Sequence, residues 1–155
     1  MDYHGFPIGI QMTNKNKLKG KDIAIGYELP TLVKAEISLQ DLVEWCGVEG
    51  DYLNIHYDKV AAEKAGLPDC LVQGTYKLCL LGRMVTDWLG DGGNLNSIAI
   101  KYIGMDFPGS TLECKGMVSS KVKRRGSYLL GLDVWVENAK GDKTAVGTAA
   151  VSIKL

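Results

Sequence analysis

A chain of 155 residues, 46% of them hydrophobic, is long enough to bury one real core without disulfides or metal. Its 18 basic and 18 acidic side chains cancel, so no global field draws nucleic acid or a membrane surface, and any anionic ligand must be held locally. Cys46, Cys70, Cys79 and Cys114 lack a CxxC pair and read as reduced thiols, and neither a signal-peptide core nor an apolar run of roughly 18 residues is present, so a cytoplasmic protein is expected.

Residues 1–26 carry the Lys/Asn-rich run 14–21 without helical or strand period, and are expected as an extended arm on a single domain spanning 27–155. Residues 33–38 read as a first strand. Ser38 then caps a short helix through Cys46, with Leu39, Leu42 and Val43 facing inward and Asp41 at its positive end. Asp58 caps a small helix over 59–65, which Gly66 and Pro68 stop. Over 74–89, Tyr76, Leu78, Cys79, Leu80, Leu81, Met84, Val85, Trp88 and Leu89 leave little polar face, which predicts a core helix buried on most sides. Beyond the Gly-rich break at 91–94 the period becomes two. Ile98, Ile100 and Tyr102 alternate, then Leu112, Cys114 and Val118, then Leu130 to Val136, then Ala145 to Ile153. Turns at 123–126 and 140–142 join the last three strands as a meander. A run of strands after one long helix predicts an α+β fold, an antiparallel sheet wrapped around a buried helix.

Between the first two helices lies Gly50-Asp51-Tyr52-Leu53-Asn54-Ile55-His56. Along a helix five residues turn a side chain by about 140°, and on a strand an odd separation sends two side chains to opposite faces. Only an irregular loop brings this carboxylate and imidazole together, and Gly50 and Asn54 tolerate the turns such a loop needs. Taken singly, Asp51 also fits a turn cap and His56 a satisfied half-buried histidine. Converged on one loop, they are suited to moving protons.

Residues 50–58, Ala65-Gly66-Leu67-Pro68, Gln73-Gly74 and Phe107-Pro108-Gly109-Ser110-Thr111-Leu112 together resemble, in order and spacing, the MaoC-like dehydratases, the (R)-specific enoyl-CoA hydratases of hot-dog fold. The family pattern is close to GDxNPxH at the loop, followed by an HG-type turn into the central helix and a PGDTL-type turn into a strand. This chain has Leu53-Asn54 in place of Asn-Pro, which removes a rigid proline, Gln73 in place of the His, and Ser110 in place of the Asp. These changes bear on substrate preference more than on fold. The resemblance implies a single hot-dog domain and reversible hydration of a 2-enoyl-CoA to an (R)-3-hydroxyacyl-CoA. It further implies no cofactor apart from the coenzyme A carried by the substrate, and pairing with a second hot-dog unit as a homodimer or with a sister chain.

Such a reaction needs a base to take a proton from water, an acid to deliver one to the α-carbon, and donors for the enolate oxygen. His56 is assigned to water activation, and Asp51 to orienting that water and protonating the α-carbon. Gly74, opening the core helix, can offer a backbone N–H as an oxyanion hole at the positive end of the helix dipole, or can simply permit a tight turn. Asn54 and Gln73 are candidates to orient water or thioester, although loop amides also tie down their own backbone. Tyr52 and Tyr76 are candidates to line an acyl tunnel, or are plain core. No second cluster of His or Cys accompanies Asp51, His56 and Asp58, so no metal is expected. Two other classes use similar parts: an acyl-CoA-binding partner subunit with little chemistry of its own, and a hot-dog thioesterase that attacks the carbonyl instead of the β-carbon. The loop carrying both Asp51 and His56 favours the lyase.

Overall fold

The computed structural model describes residues 19–154. In chain order the main elements are β1 (Leu32–Lys34), α1 (Leu39–Glu49), α2 (Lys59–Lys64), α3 (Gly74–Leu89), β2 (Gly93–Tyr102), β3 (Leu112–Arg124), β4 (Ser127–Asn138) and β5 (Lys143–Lys154). The five strands form one sheet in the order β1-β3-β4-β5-β2, every neighbouring pair antiparallel. Period-two patterning explains which face is wet. Leu112, Cys114 and Val118 of β3, Leu130, Leu132, Val134 and Val136 of β4, and Ala145, Ala149, Val151 and Ile153 of β5 are at most 5% exposed and make a common core with α3. A tight turn joins β3 to β4: Arg124 pairs with Ser127, and Gly126 adopts a φ of +83° that an L side chain resists. This curled sheet around a central helix is the expected α+β hot-dog fold.

The helix α3 begins and ends where the periodicity predicts, but it is less enclosed than its apolar count suggests. Leu80, Leu81, Met84, Val85 and Leu89 are buried in the core shared with the sheet and Lys77 is buried against residues 104–106, while Cys79, Arg83, Thr86 and Asp87 are exposed. The sheet covers only one side of the helix, and Arg83 and Asp87 pair across the outer turn at 3.3 Å.

Three further expectations need correction. The first strand is only Leu32–Lys34, because Glu36 turns to a φ of +40° and Ile37 enters the core from a loop, its N–H held by the Ser110 carbonyl at 2.9 Å. The first helix runs past Cys46 to Glu49. Its inner stripe is Leu42 and Cys46, whereas Leu39 and Val43 are 44% and 50% exposed. Its start is as expected, a reciprocal capping box in which Ser38 Oγ accepts from Asp41 N–H and Asp41 accepts from Ser38 N–H. Most of the expected 1–26 arm lies outside the described residues. The part that is described packs on the sheet: Ile23 is buried, and the Gly26 N–H donates to the Val118 carbonyl at 2.8 Å.

Candidate active site

The loop after α1 is shaped by its own short-range chemistry. Gly50 ends α1 in a left-handed conformation, φ +75°, with its N–H returned to the Cys46 carbonyl at 2.8 Å. Asp51 Oδ1 accepts the Leu53 N–H at 3.0 Å, which fixes the carboxylate over its own turn. Asn54–His56 then make one turn of 3-10 helix, and Asp58 opens α2 by accepting the Val60 and Ala61 N–H groups. Tyr57 Oη donates to the Tyr52 carbonyl at 3.0 Å and closes the loop.

This geometry brings Asp51 Oδ2 to 4.0 Å from His56 Nε2. The separation is too long for a direct hydrogen bond, and a water about 2.8 Å from each atom would bridge it. His56 is only 7% exposed, whereas the Asp51 side chain is 46% exposed, so the pair has one fixed and one solvated member. The imidazole is further defined by Leu71, whose carbonyl oxygen lies 2.6 Å from Nδ1. A carbonyl only accepts, so Nδ1 carries a proton, and in the neutral imidazole Nε2 then presents its lone pair toward Asp51. The neighbouring backbone reciprocates, since the Leu71 N–H donates to the Ile55 carbonyl at 2.9 Å.

Asp51 and His56 open onto a cavity of about 270 Å³ that Gln73, Gly74 and Thr75 also line at the N-terminus of α3. That helix starts without a side-chain cap, so its first N–H groups are free of the helix ladder. Gln73 does not cap it because its Nε2 is turned to α1, donating to the Leu42 carbonyl at 3.1 Å and contacting Cys46 Sγ at 3.2 Å. A second tie runs from Trp45 Nε1 to Thr75 Oγ1, 3.1 Å, and from Thr75 Oγ1 to Glu49 Oε2, 2.5 Å. Together they fix the start of α3 against α1.

The other candidates stand off this cavity. Asn54 begins the 3-10 turn, where its carbonyl accepts the Tyr57 and Asp58 N–H groups at 3.1 and 2.8 Å. Tyr52 is 65% exposed. Tyr76 tilts against Trp45 with ring centroids 5.4 Å apart, and burial, with Asp41 adding, pushes its phenol up to about 12.

Sequence reasoning missed Glu49, Thr75, Lys77, Tyr102, Gly104 and Met105, all of which line the cavity. Lys77 was the legible one, a lone charge on the inner stripe of an apolar helix. Its side chain is 2% exposed, with Nζ 2.5 Å from Asp106 Oδ2 and 3.0 Å from the Gly104 carbonyl. The Asp106 contact is an ion pair without hydrogen-bond alignment, and Asp106 Oδ1 has no partner among the described residues. Tyr102 read only as a strand residue. What brings it in is tertiary, the end of β2 folding back over Gly74.

An antiparallel sheet curled around a helix, with a cavity at that helix's N-terminus lined by a carboxylate and an imidazole, defines a hot-dog domain. Residues 21–139 match the family model described as a MaoC like domain, and the chain belongs to that family. Among solved structures, the ChsH1-ChsH2 complex from Mycobacterium tuberculosis is similar with a TM-score of 0.74 and 24% identity, over 84% of this chain and 98% of that one. The (R)-hydratase from A. caviae involved in PHA biosynthesis is similar with a TM-score of 0.77 and 16% identity, over 84% and 97%. The fatty acid synthase beta subunit TOXC of Cochliobolus carbonum is 29% identical over 114 residues, 68% of this chain; the chain spans only 5% of that relative's length. Among the described residues no helix is long and apolar enough to cross a membrane.

Proposed function

We propose that the protein is a hydro-lyase that reversibly adds water across the double bond of a 2-enoyl-CoA to give an (R)-3-hydroxyacyl-CoA. The observation that carries this reading is the 4.0 Å gap between Asp51 Oδ2 and a lone-pair-bearing His56 Nε2, open to the uncapped start of α3. In the forward direction water sits in that gap. His56 Nε2 takes one proton as the oxygen bonds to the β-carbon, and the double-bond electrons move onto the thioester as an enolate. The Gly74 N–H stabilises the enolate oxygen at the positive end of α3. The imidazolium passes that proton across the gap to the Asp51 carboxylate, which delivers it to the α-carbon, so both groups return to their starting state. No cofactor enters this scheme apart from the coenzyme A of the substrate.

Membership of the MaoC-like family and similarity to the A. caviae (R)-hydratase support this reading. Among the described residues the edge strand β2 pairs with β5 alone, and Tyr102, Ile103 and Met105 at its end are exposed, which favours pairing with a second hot-dog unit, a copy or a sister chain. The test is to follow enoyl-thioester absorbance and free thiol together over a panel of 2-enoyl-CoAs. The proposal expects absorbance to fall without thiol release. Thiol release would make the protein a thioesterase, and no change with any member of the panel would make it a binding subunit.

A further inference from the structure

Building on the proposed hydration, we infer that the Tyr102 hydroxyl is a second donor to the thioester oxygen, completing an oxyanion hole of which the Gly74 N–H is the first half. A thioester oxygen that gains negative charge accepts more than one hydrogen bond, and one backbone N–H leaves a lone pair unserved. Tyr102 stands at the right place. Its ring lies so close on Gly74 that a Cβ there would sit 2.6 Å from Cζ, 2.7 Å from Cε2 and 2.8 Å from Cε1. Cζ, the carbon that bears the hydroxyl, is the nearest of the three, so the phenolic end of the ring rests over the residue that opens α3. A Cβ at position 74 would displace this ring, whereas Gly74 is not among the glycines of positive φ, so the close approach of the ring rather than a turn is what glycine serves here.

Four further observations support the role. Tyr102 and Gly74 line the same cavity as Asp51 and His56, so donor and proton-transfer groups face one space. No hydrogen-bond partner engages Tyr102 Oη among the described residues. Glu49, the nearby carboxylate, is already bonded by the Thr75 hydroxyl. Burial, reinforced by Glu49, raises the phenol above its ordinary range, so the group remains a neutral O–H donor through neutral pH.

The bond is made most strongly when the oxygen is an enolate, so the hydroxyl contributes to the transition state rather than to uniform binding. In the proton balance Tyr102 donates a hydrogen bond and keeps its proton; the proton moved to the α-carbon still comes from Asp51.

The experiment is Tyr102→Phe, which retains the ring that covers Gly74 and removes only the oxygen. With wild-type and variant chains compared on a 2-enoyl-CoA that the wild type hydrates, kcat should fall about 100-fold while KM changes less than about threefold. A purely structural ring would leave kcat unmoved. Tyr102→Phe turnover within about twofold of wild type, or a rise in KM at constant kcat, overturns the inference while leaving the hydratase reading intact. A wild-type chain that hydrates no 2-enoyl-CoA overturns both.

Discussion

Two acid–base pairs meet the cavity, one with both members in its lining and the other through Lys77 alone, and they differ in what they are free to do. Lys77 and Asp106 are both almost wholly buried and 2.5 Å apart. Asp51 and His56 are 4.0 Å apart, and Asp51 is half solvated. A closed pair in a low-dielectric setting has spent its charges on each other and on holding α3 against the 104–106 segment. An open pair leaves its lone pairs for a third molecule. Residue chemistry alone does not separate structural from reactive pairs. Distance and solvation do.

Substitutions break this comparison from either side. At the open pair, Asp51→Asn and His56→Ala should each lower turnover of an enoyl thioester by about 10²- to 10⁴-fold, the usual worth of a general acid or base. Circular dichroism should find both variants folded, since Asp51 is half solvated and the His56 ring makes one hydrogen bond to protein backbone. At the closed pair, Lys77→Met strands a buried carboxylate and should destabilise the fold by about 3–5 kcal/mol in urea denaturation. Lys77→Met with Asp106→Leu should recover most of that loss, because the orphaned charge is gone. A double variant as unstable as the single would show that the pair does more than neutralise itself.

The smallest effect tests how α1 delivers the loop. Asp41→Asn weakens the capping box and should cost about 1 kcal/mol in thermal unfolding. Burial pushes the Asp41 carboxyl up, but bonds from Lys34 and Ser38 outweigh it and hold the group below its usual range. A carboxylate lowered in the folded state contributes stability above its unfolded value and loses it as pH falls through the folded one. The gap between wild type and Asp41→Asn should therefore close in acid.

How much of this was legible in the sequence depends on the range of the interactions. The 74–89 helix, the strand faces and the Asp51–His56 loop follow from local periodicity and turn chemistry, as do the caps at Ser38 and Asp58. The inward face of α1 was misjudged because Leu39 and Val43 are apolar yet lie outside the stripe that the rest of the fold happens to cover. Gly74 was read through its backbone freedom, while the ring resting on it comes from a strand end 28 positions away in sequence, a contact no local pattern encodes. The same holds for Asp106, whose partner Lys77 was visible only as an unexplained charge on an apolar helix.

In the proposed reaction, water held between Asp51 and His56 reaches the β-carbon. Incubating the wild-type chain with a 2-enoyl-CoA panel in oxygen-labelled water, and locating the label by mass spectrometry, tests this directly. Label in the 3-hydroxyl group, with the thioester intact, is the predicted result. Label in a released carboxylate, or in no product of any panel member, would contradict it.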